Sequence, residues 1–164
     1  MALRQSEGTA PLIAKLAEMM RYILYQADET MVPLVNEIAF VENYVEVERV
    51  RYRDEITINL ETQGIHQNFE IAPLLLLPFI ENAFKHGVQE EQNEGFVSVL
   101  ILTTETELIM EVSNSIALKK STNGGIGLDN VKKRLELIYP KSYALTIGDD
   151  GKVFKVNLML TING

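Results

Sequence analysis

The sequence predicts an α+β chain, helical up to about Tyr52 and mixed beyond it, and three observations carry this. Apolar residues recur at spacings of three and four from Leu12 to Leu24, and again through Val35, Ile38, Val41 and Val45. From Ile56 the apolar period switches to two, as strands require. Later stretches alternate between these two periods, with proline, glycine and polar runs as punctuation.

Composition narrows the class. At 164 residues the chain fits one domain plus a helical extension. A domain of roughly 150 residues buries about 68–70% of its unfolded surface, so a real core is within reach. No apolar run approaches the roughly 18 residues of a membrane span, and the start is not a signal peptide. The absence of cysteine excludes disulfides and thiolate metal sites and fits a cytoplasmic setting. A net charge of −8 without a dense basic patch argues against nucleic acid. The same acidity repels free nucleotide, which would need a divalent cation and local positive charge.

Each element then has its own signal. Met1 to Thr9 reads as a polar lead-in and Pro11 to Gln26 as an amphipathic helix carrying Leu12, Ile13, Leu16, Met19, Met20, Ile23 and Leu24. Val32 to Tyr52 is a second helix, with Glu37, Glu42, Glu46 and Glu48 on an expected wetted face. Packing as a helical hairpin or bundle accounts for both. Ile56, Ile58 and Leu60 alternate as a strand, Gly64 and His66 fall in a turn, and Phe69 and Ile71 close a second short strand. Phe96 to Leu102 and Leu108 to Val112 predict a hairpin, and Ser113 to Gly125 a polar loop. Ile126 to Tyr139 is helical, stopped by Pro140. Tyr143 to Ile147 and Val153 to Leu160 predict strands joined at Asp149-Asp150-Gly151, a hairpin turn.

The most informative stretch is Pro73 to Gly87, PLLLLPFIENAFKHG. Pro73 suits a first helical position and Gly87 the residue past the end, with a kink or restart at Pro78. Ile80, Ala83 and Phe84 form an inward stripe. Glu81 and Lys85, and Asn82 and His86, are each four residues apart. A solvated helix end with one ion pair explains this, and so does a Mg-phosphate site. In the second case the Asn82 amide oxygen is a hard metal ligand, Lys85 answers phosphate charge, and Glu81 accepts a proton or orients water. Further on, Gly124-Gly125-Ile126-Gly127-Leu128 opens a helix, where free N–H groups favour phosphate; a plain turn is the other explanation.

These motifs carry a resemblance. ENAFKHG is similar to the N box of LytS-like sensor histidine kinases, of the superfamily shared with gyrase, the heat-shock chaperone and mismatch-repair ATPases. GIGLDNVKKRLELIY resembles their glycine-box helix, with Gly125, Gly127, Leu128, Asn130 and Arg134 at matching positions. The run from Arg21 to Asp54 resembles their dimerisation helix and connector, with Arg21, Tyr22, Glu37, Tyr44, Glu48 and Arg51 matching. The resemblance therefore covers nearly the whole chain in order. It implies a Bergerat-type two-layer sandwich, a mixed sheet covered on one face by helices, over residues 53–164. Residues 1–52 would supply part of the dimerisation helices. It further implies ATP and Mg2+, with Asn82 on the metal and Glu81 and Lys85 in catalysis. Asn82, Lys85, His86, Asn114, Gly125, Gly127, Leu128 and Asn130 would line the nucleotide, beneath a lid that includes Lys119 and Lys120. Expected partners are a response regulator and a second copy through the N-terminal helices, with no membrane contact by this part of a membrane-anchored sensor.

The chain departs from the family in two places. Where an acidic D-x-G-x-G box would receive the adenine amino group, it has Ser113-Asn114-Ser115. A neutral hydrogen bond there contributes only about 0.5–1.5 kcal/mol net. The N-P-H-F motif of the phosphoacceptor histidine is missing, leaving His66 and His86. The chain thus reads as a kinase piece that starts after its acceptor and is inactive in autophosphorylation. A non-catalytic dimerisation module with a degenerate pocket, and a self-sufficient ATPase, are the alternatives.

Overall fold

The computed structural model describes residues 3–53, 55–64, 68–87, 95–116 and 126–161, with side chains from residue 10 onward and without that of Ile126. His66, Lys119, Lys120, Gly124 and Gly125 lie outside them.

Helix α1 spans Leu3–Gln26 and runs through Pro11, so the expected polar lead-in is helical. Proline costs an interior helix one N–H bond, which the helix on either side absorbs here. After a two-residue strand β1, Val32–Pro33, helix α2 (Leu34–Tyr52) packs against α1, and its inner face buries Leu34, Ile38, Phe40, Val41 and Val45. Glu37 and Glu48 are buried with them, against the expectation of a wetted face. The reason is phase, because Glu37 sits three residues after Leu34 and Glu48 three after Val45 on the packed stripe.

Strand β2 (Ile56–Gln63) follows, then β3 (Glu70–Ile71), which pairs antiparallel with β1. The expected helix from Pro73 begins only at Leu77: α3 is Leu77–Gly87, with Pro78 in its first turn. Residues 73–76 turn instead, with Leu74 at φ 55, because side-chain acceptors take the N–H groups there. Strands β4 (Gly95–Thr103) and β5 (Glu107–Ser115) form the expected hairpin, but β5 runs on to Ser115. Ser113-Asn114-Ser115 is therefore strand, Ser113 and Asn114 paired with both β4 and β7 and Ser115 with β7, where small polar residues had suggested loop.

Helix α4 (Ile126–Ile138) leads to β6 (Tyr143–Asp149) and β7 (Val153–Thr161). Their turn places Gly151 at φ 84, and the Asp150 carboxylate accepts from the amides of Lys152 and Val153. Those two amides hold the Asp150 carboxyl below its ordinary value.

The five-stranded sheet has the order β2-β4-β5-β7-β6, with β2 parallel to β4 and every other pair antiparallel. Alternate residues of β4 and β5 (Val97, Val99, Ile101, Leu108, Met110, Val112) are buried. They meet Phe79, Ile80, Ala83 and Phe84 of α3 and Leu128, Val131 and Leu135 of α4 in one core cluster. A mixed sheet under a layer of helices is the expected two-layer arrangement.

Candidate functional site

Helix α3 sorts its residues by face. Phe79, Ile80, Ala83, Phe84 and Gly87 are buried, so the helix is fixed to β4, β5 and α4. Asn82 and His86 are half-buried and Glu81 and Lys85 exposed. Glu81 and Lys85 do not form the ion pair their spacing offers; among the described residues the ion pairs lie on α2 and α4. Lys85 is thus a cation not committed to Glu81. Partial burial, with the Lys85 charge beside it, pushes the His86 imidazole below its ordinary value, so it is neutral at physiological pH.

Helix α2 holds α3 from the side. Phe84 stacks on Tyr52 with ring centroids 6.0 Å apart and meets Tyr44 edge-on at 6.0 Å. Burial, then the neighbouring Glu48 carboxylate, then Glu81 push the Tyr44 phenol well above its ordinary value. The charge of Glu81 is thereby felt at Tyr44, on the α2 side of α3. Arg51 Nη1 lies 3.5 Å from Glu48 Oε2. That distance is an ion pair without hydrogen-bond geometry, and Oε2 accepts no hydrogen bond.

Beneath the C-terminal end of α3 lies the end of β5. A Cβ on Gly87 would stand 2.8 Å from Asn114 Cβ and 3.3 Å from Phe96 O. One on Gly95 would stand 2.6 Å from Gly87 O. Both glycines are close-approach residues that let helix, β4 and β5 converge. The Ser115 hydroxyl ties the three together, donating to Gly87 O at 2.7 Å and accepting from Phe96 N at 3.1 Å. Neither glycine nor Ser115 was singled out by sequence for this; the signal, a small residue where two backbones meet, is visible only in three dimensions. Asn114 is 1% exposed. Its Nδ2 donates to Ser115 O at 2.8 Å, and its Oδ1 is buried with no partner.

Other site residues fall differently. Leu128 is buried in the core rather than presented outward. Gly127 and Asn130 are exposed at the first turn of α4, and nothing stands within 4 Å of a Cβ built on Gly127. Gly125 lies outside the described residues. Helix α4 packs on α3, so its N-terminal turn and the polar face of α3 belong to one layer. No group of three or more metal-ligating carboxylates or histidines occurs among the described residues. The half-buried Asn82 amide oxygen is a hard donor of the kind Mg2+ accepts, and an ion held there would take its other ligands from phosphate oxygens and water. The Asn114 Oδ1, buried without a partner among the described residues, fits a hydrogen-bond donor of a ligand.

Farther away, a buried carboxylate joins three segments. Glu37, 0% exposed, accepts from Tyr22 Oη of α1, from Leu74 N at 2.9 Å and from Leu76 N at 3.2 Å. Tyr139 Oη accepts from Ala72 N at 2.9 Å just before that turn. Burial pushes the Glu37 carboxyl above its ordinary value, and these donors pull it back. Cavities of about 330 Å³ between α1 and α2 and about 440 Å³ over β2 and β4 lie away from the polar face of α3.

Comparison with known proteins agrees with these elements. A family profile described as Histidine kinase matches residues 1–56. The sensor protein LytS of Oceanobacillus iheyensis is 25% identical over 171 residues, covering 94% of this chain and 29% of the relative. The sensor histidine kinase BtsS of Escherichia coli K12 is 27% identical over 146 residues, covering 88% of this chain and 26% of the relative. The chain spans less than a third of the length of these relatives. Among solved structures, the histidine kinase domain of the Erythrobacter litoralis EL346 blue-light activated histidine kinase matches with a TM-score of 0.57. Identity there is 14%, over 96% of this chain and 82% of that one, and the likeness is one of fold.

Proposed function

We propose, from the premise that this chain belongs with the LytS-like sensor histidine kinases, that residues 53–164 bind Mg-ATP for transfer of its γ-phosphoryl group to a histidine. Residues 1–52 belong to the dimerisation helices and connector. The observation that carries the proposal is the sorting of α3. One side is locked into the core, and Asn82, Lys85 and His86 lie at helical spacing on the other.

In this reading the Asn82 amide oxygen ligates Mg2+, which neutralises phosphate charge when bound. Lys85 adds positive charge beside the phosphates, in a chain whose net charge of −8 otherwise repels them. His86, neutral, offers one N–H donor and one acceptor nitrogen. Glu81 holds or receives a proton of the acceptor imidazole, consistent with its exposed position. Gly125, Gly127 and Asn130 bring the N-terminal turn of α4 to the phosphates, with Leu128 anchoring that turn in the core.

Both histidines of the chain are unsuited as acceptors. His86 shares the face of Asn82 and is fixed beside the metal ligand, and His66 has no acid next to it in sequence. A response regulator then takes the phosphoryl group, and two copies pair through α1. Among the described residues no helix is long and apolar enough to cross a membrane.

Titration of Mg-ATP with thermal unfolding as readout tests the site. The wild-type chain is expected to be stabilised only when Mg2+ is present, and Asn82→Ala to lose that metal dependence while keeping its own unfolding temperature. Unchanged affinity and metal dependence in the variant would place the site elsewhere. No stabilisation of the wild type favours the interaction module.

A further inference from the structure

One buried carboxylate stands outside the nucleotide site and reaches it through a turn. Glu37 Oε1 accepts from Leu76 N at 3.2 Å, and its Oε2 accepts both from Leu74 N at 2.9 Å and from Tyr22 Oη of α1. Burial raises this carboxyl, while the Tyr22 hydroxyl and the amides of Leu74, Leu76 and Leu75 pull it down. Successive N–H groups gathered in this way bind an anion, and here the anion is the chain's own. The same turn is the root of α3. Phe79 N donates to Leu76 O at 3.3 Å, and Leu75, Leu76, Phe79 and Ile80 are all fully buried, so turn and helix move as one body. Helix α4 grips the turn from its other end. Tyr139 Oη accepts from Ala72 N at 2.9 Å, and Tyr139 N donates to Leu135 O at 2.8 Å, continuing α4. Burial raises the phenols of Tyr22 and Tyr139, and the Arg134 charge acts on both in the opposite direction, so Arg134 of α4 stands within electrostatic reach of the same cluster. The two helices that carry the nucleotide site thus meet α1 and α2 at residues 72–76.

We propose that Glu37 is a positioning residue for the nucleotide site, and that its bond to Tyr22 makes affinity at that site depend on the seating of α1. The inference rests on the nucleotide reading above. Oε2 serves α1 and the turn at once, so a displaced Tyr22 takes a partner from the very oxygen that holds Leu74 N. The carboxylate then loses its fixed place, and the turn loses the anchor that sets where α3 begins. Asn82, Lys85 and His86 ride on that helix. With its root loosened, a ligand has to order the helix on binding, and affinity falls. Coupling between two sites is reciprocal. A nucleotide that fixes α3 therefore steadies the turn, then Glu37, and through Tyr22 the middle of α1.

The full chain is titrated with Mg-ATP by isothermal calorimetry as wild type, Tyr22→Phe and Leu160→Ala, at a temperature where each is folded. Tyr22→Phe keeps the ring, which packs on Phe40 with centroids 4.9 Å apart, and removes only the hydroxyl. Leu160→Ala is the control for lost stability, because Leu160 is buried in β7 opposite Leu108, at the other end of β5 from Asn114. Tyr22→Phe is expected to bind about fivefold weaker than wild type, the lower end of coupling between sites, and Leu160→Ala to bind like wild type. Equal affinity of wild type and Tyr22→Phe overturns the inference and leaves the nucleotide site standing. Equal weakening in Leu160→Ala also overturns it, since stability alone would then explain the loss. A second readout needs no variant: hydrogen exchange of the wild type with and without Mg-ATP. Slower exchange is expected at the amides of Leu74 and Leu76 and in α1 around Tyr22. Protection confined to α3 and α4 overturns the coupling. Failure of the wild type to bind Mg-ATP removes the nucleotide site itself, and this inference with it.

Discussion

Glu37 illustrates how one side chain can hold segments that are distant in sequence. Its two oxygens satisfy Tyr22 of α1 and the N–H groups of Leu74 and Leu76, and so keep Leu74 at φ 55. A non-glycine residue there costs of order 1–3 kcal/mol unless its surroundings impose it. Tyr22→Phe removes one donor from a buried carboxylate and is expected to cost about 1–3 kcal/mol in chemical denaturation. The sign of its pH dependence follows. Burial already raises the Glu37 carboxyl above its ordinary value of 4.5, and the Tyr22 hydroxyl lowers it. A group with a raised folded-state pKa supports the fold below its unfolded value and loses that support as pH rises through the folded value. Without Tyr22 the carboxyl moves up further, so the gap between variant and wild type is expected to widen from acidic to neutral pH. A constant gap would count against an ionised Glu37. Sequence placed Glu37 among residues matching the family but on a wetted face. A glutamate one step from an apolar stripe gives no sign of whether donors await it inside.

At the scale of the element, α3 was legible in outline because apolar and polar residues alternate at helical spacing from Ile80 to His86. Its start was not. Pro73 and Pro78 both suit a first helical position, and only the donors captured by Glu37 decide between them. The end of α3 was misread in a different way. Gly87 looked like a helix terminator, whereas its missing side chain leaves room for Asn114, and that of Gly95 for the carbonyl of Gly87. Gly95→Ala would set a Cβ 2.6 Å from a backbone atom that cannot step aside, and is expected to destabilise by about 1–3 kcal/mol, as overpacking does. Thermal unfolding checks this. Gly127→Ala is the control, since no described atom stands within 4 Å of its added methyl, and its unfolding temperature is expected to be nearly unchanged. Ser113 and Asn114 escaped as strand because small polar residues are disfavoured there, yet pairing on both sides overrides that preference.

At the scale of the whole molecule, the helical part and the mixed part were separable in sequence by period alone, and the switch near Tyr52 is where α2 gives way to β2. What period could not show is which apolar residues remain uncovered. Ile13, Met20 and Leu24 of α1 are 60%, 63% and 69% exposed, while Tyr22 on the other side is buried. Replacing all three by glutamate is expected to abolish a dimer seen by sedimentation across micromolar concentrations; a wild-type chain that stays monomeric there would rule out pairing through α1. The sheet has one further consequence, in the order of events as the chain folds. The β4–β5 and β6–β7 pairs close across short turns, and such hairpins form in about 1–10 μs. Strand β2 is different: Ile56 pairs in parallel with Gly95, across a crossover that contains all of α3. Parallel pairing waits for that crossover to be laid down, and non-local contacts are the slow ones. Pulse-labelled refolding is expected to protect amides of β4 and β5 before those of β2, leaving the β2 edge of β4 open for a time as a template on which a neighbouring chain can add a strand.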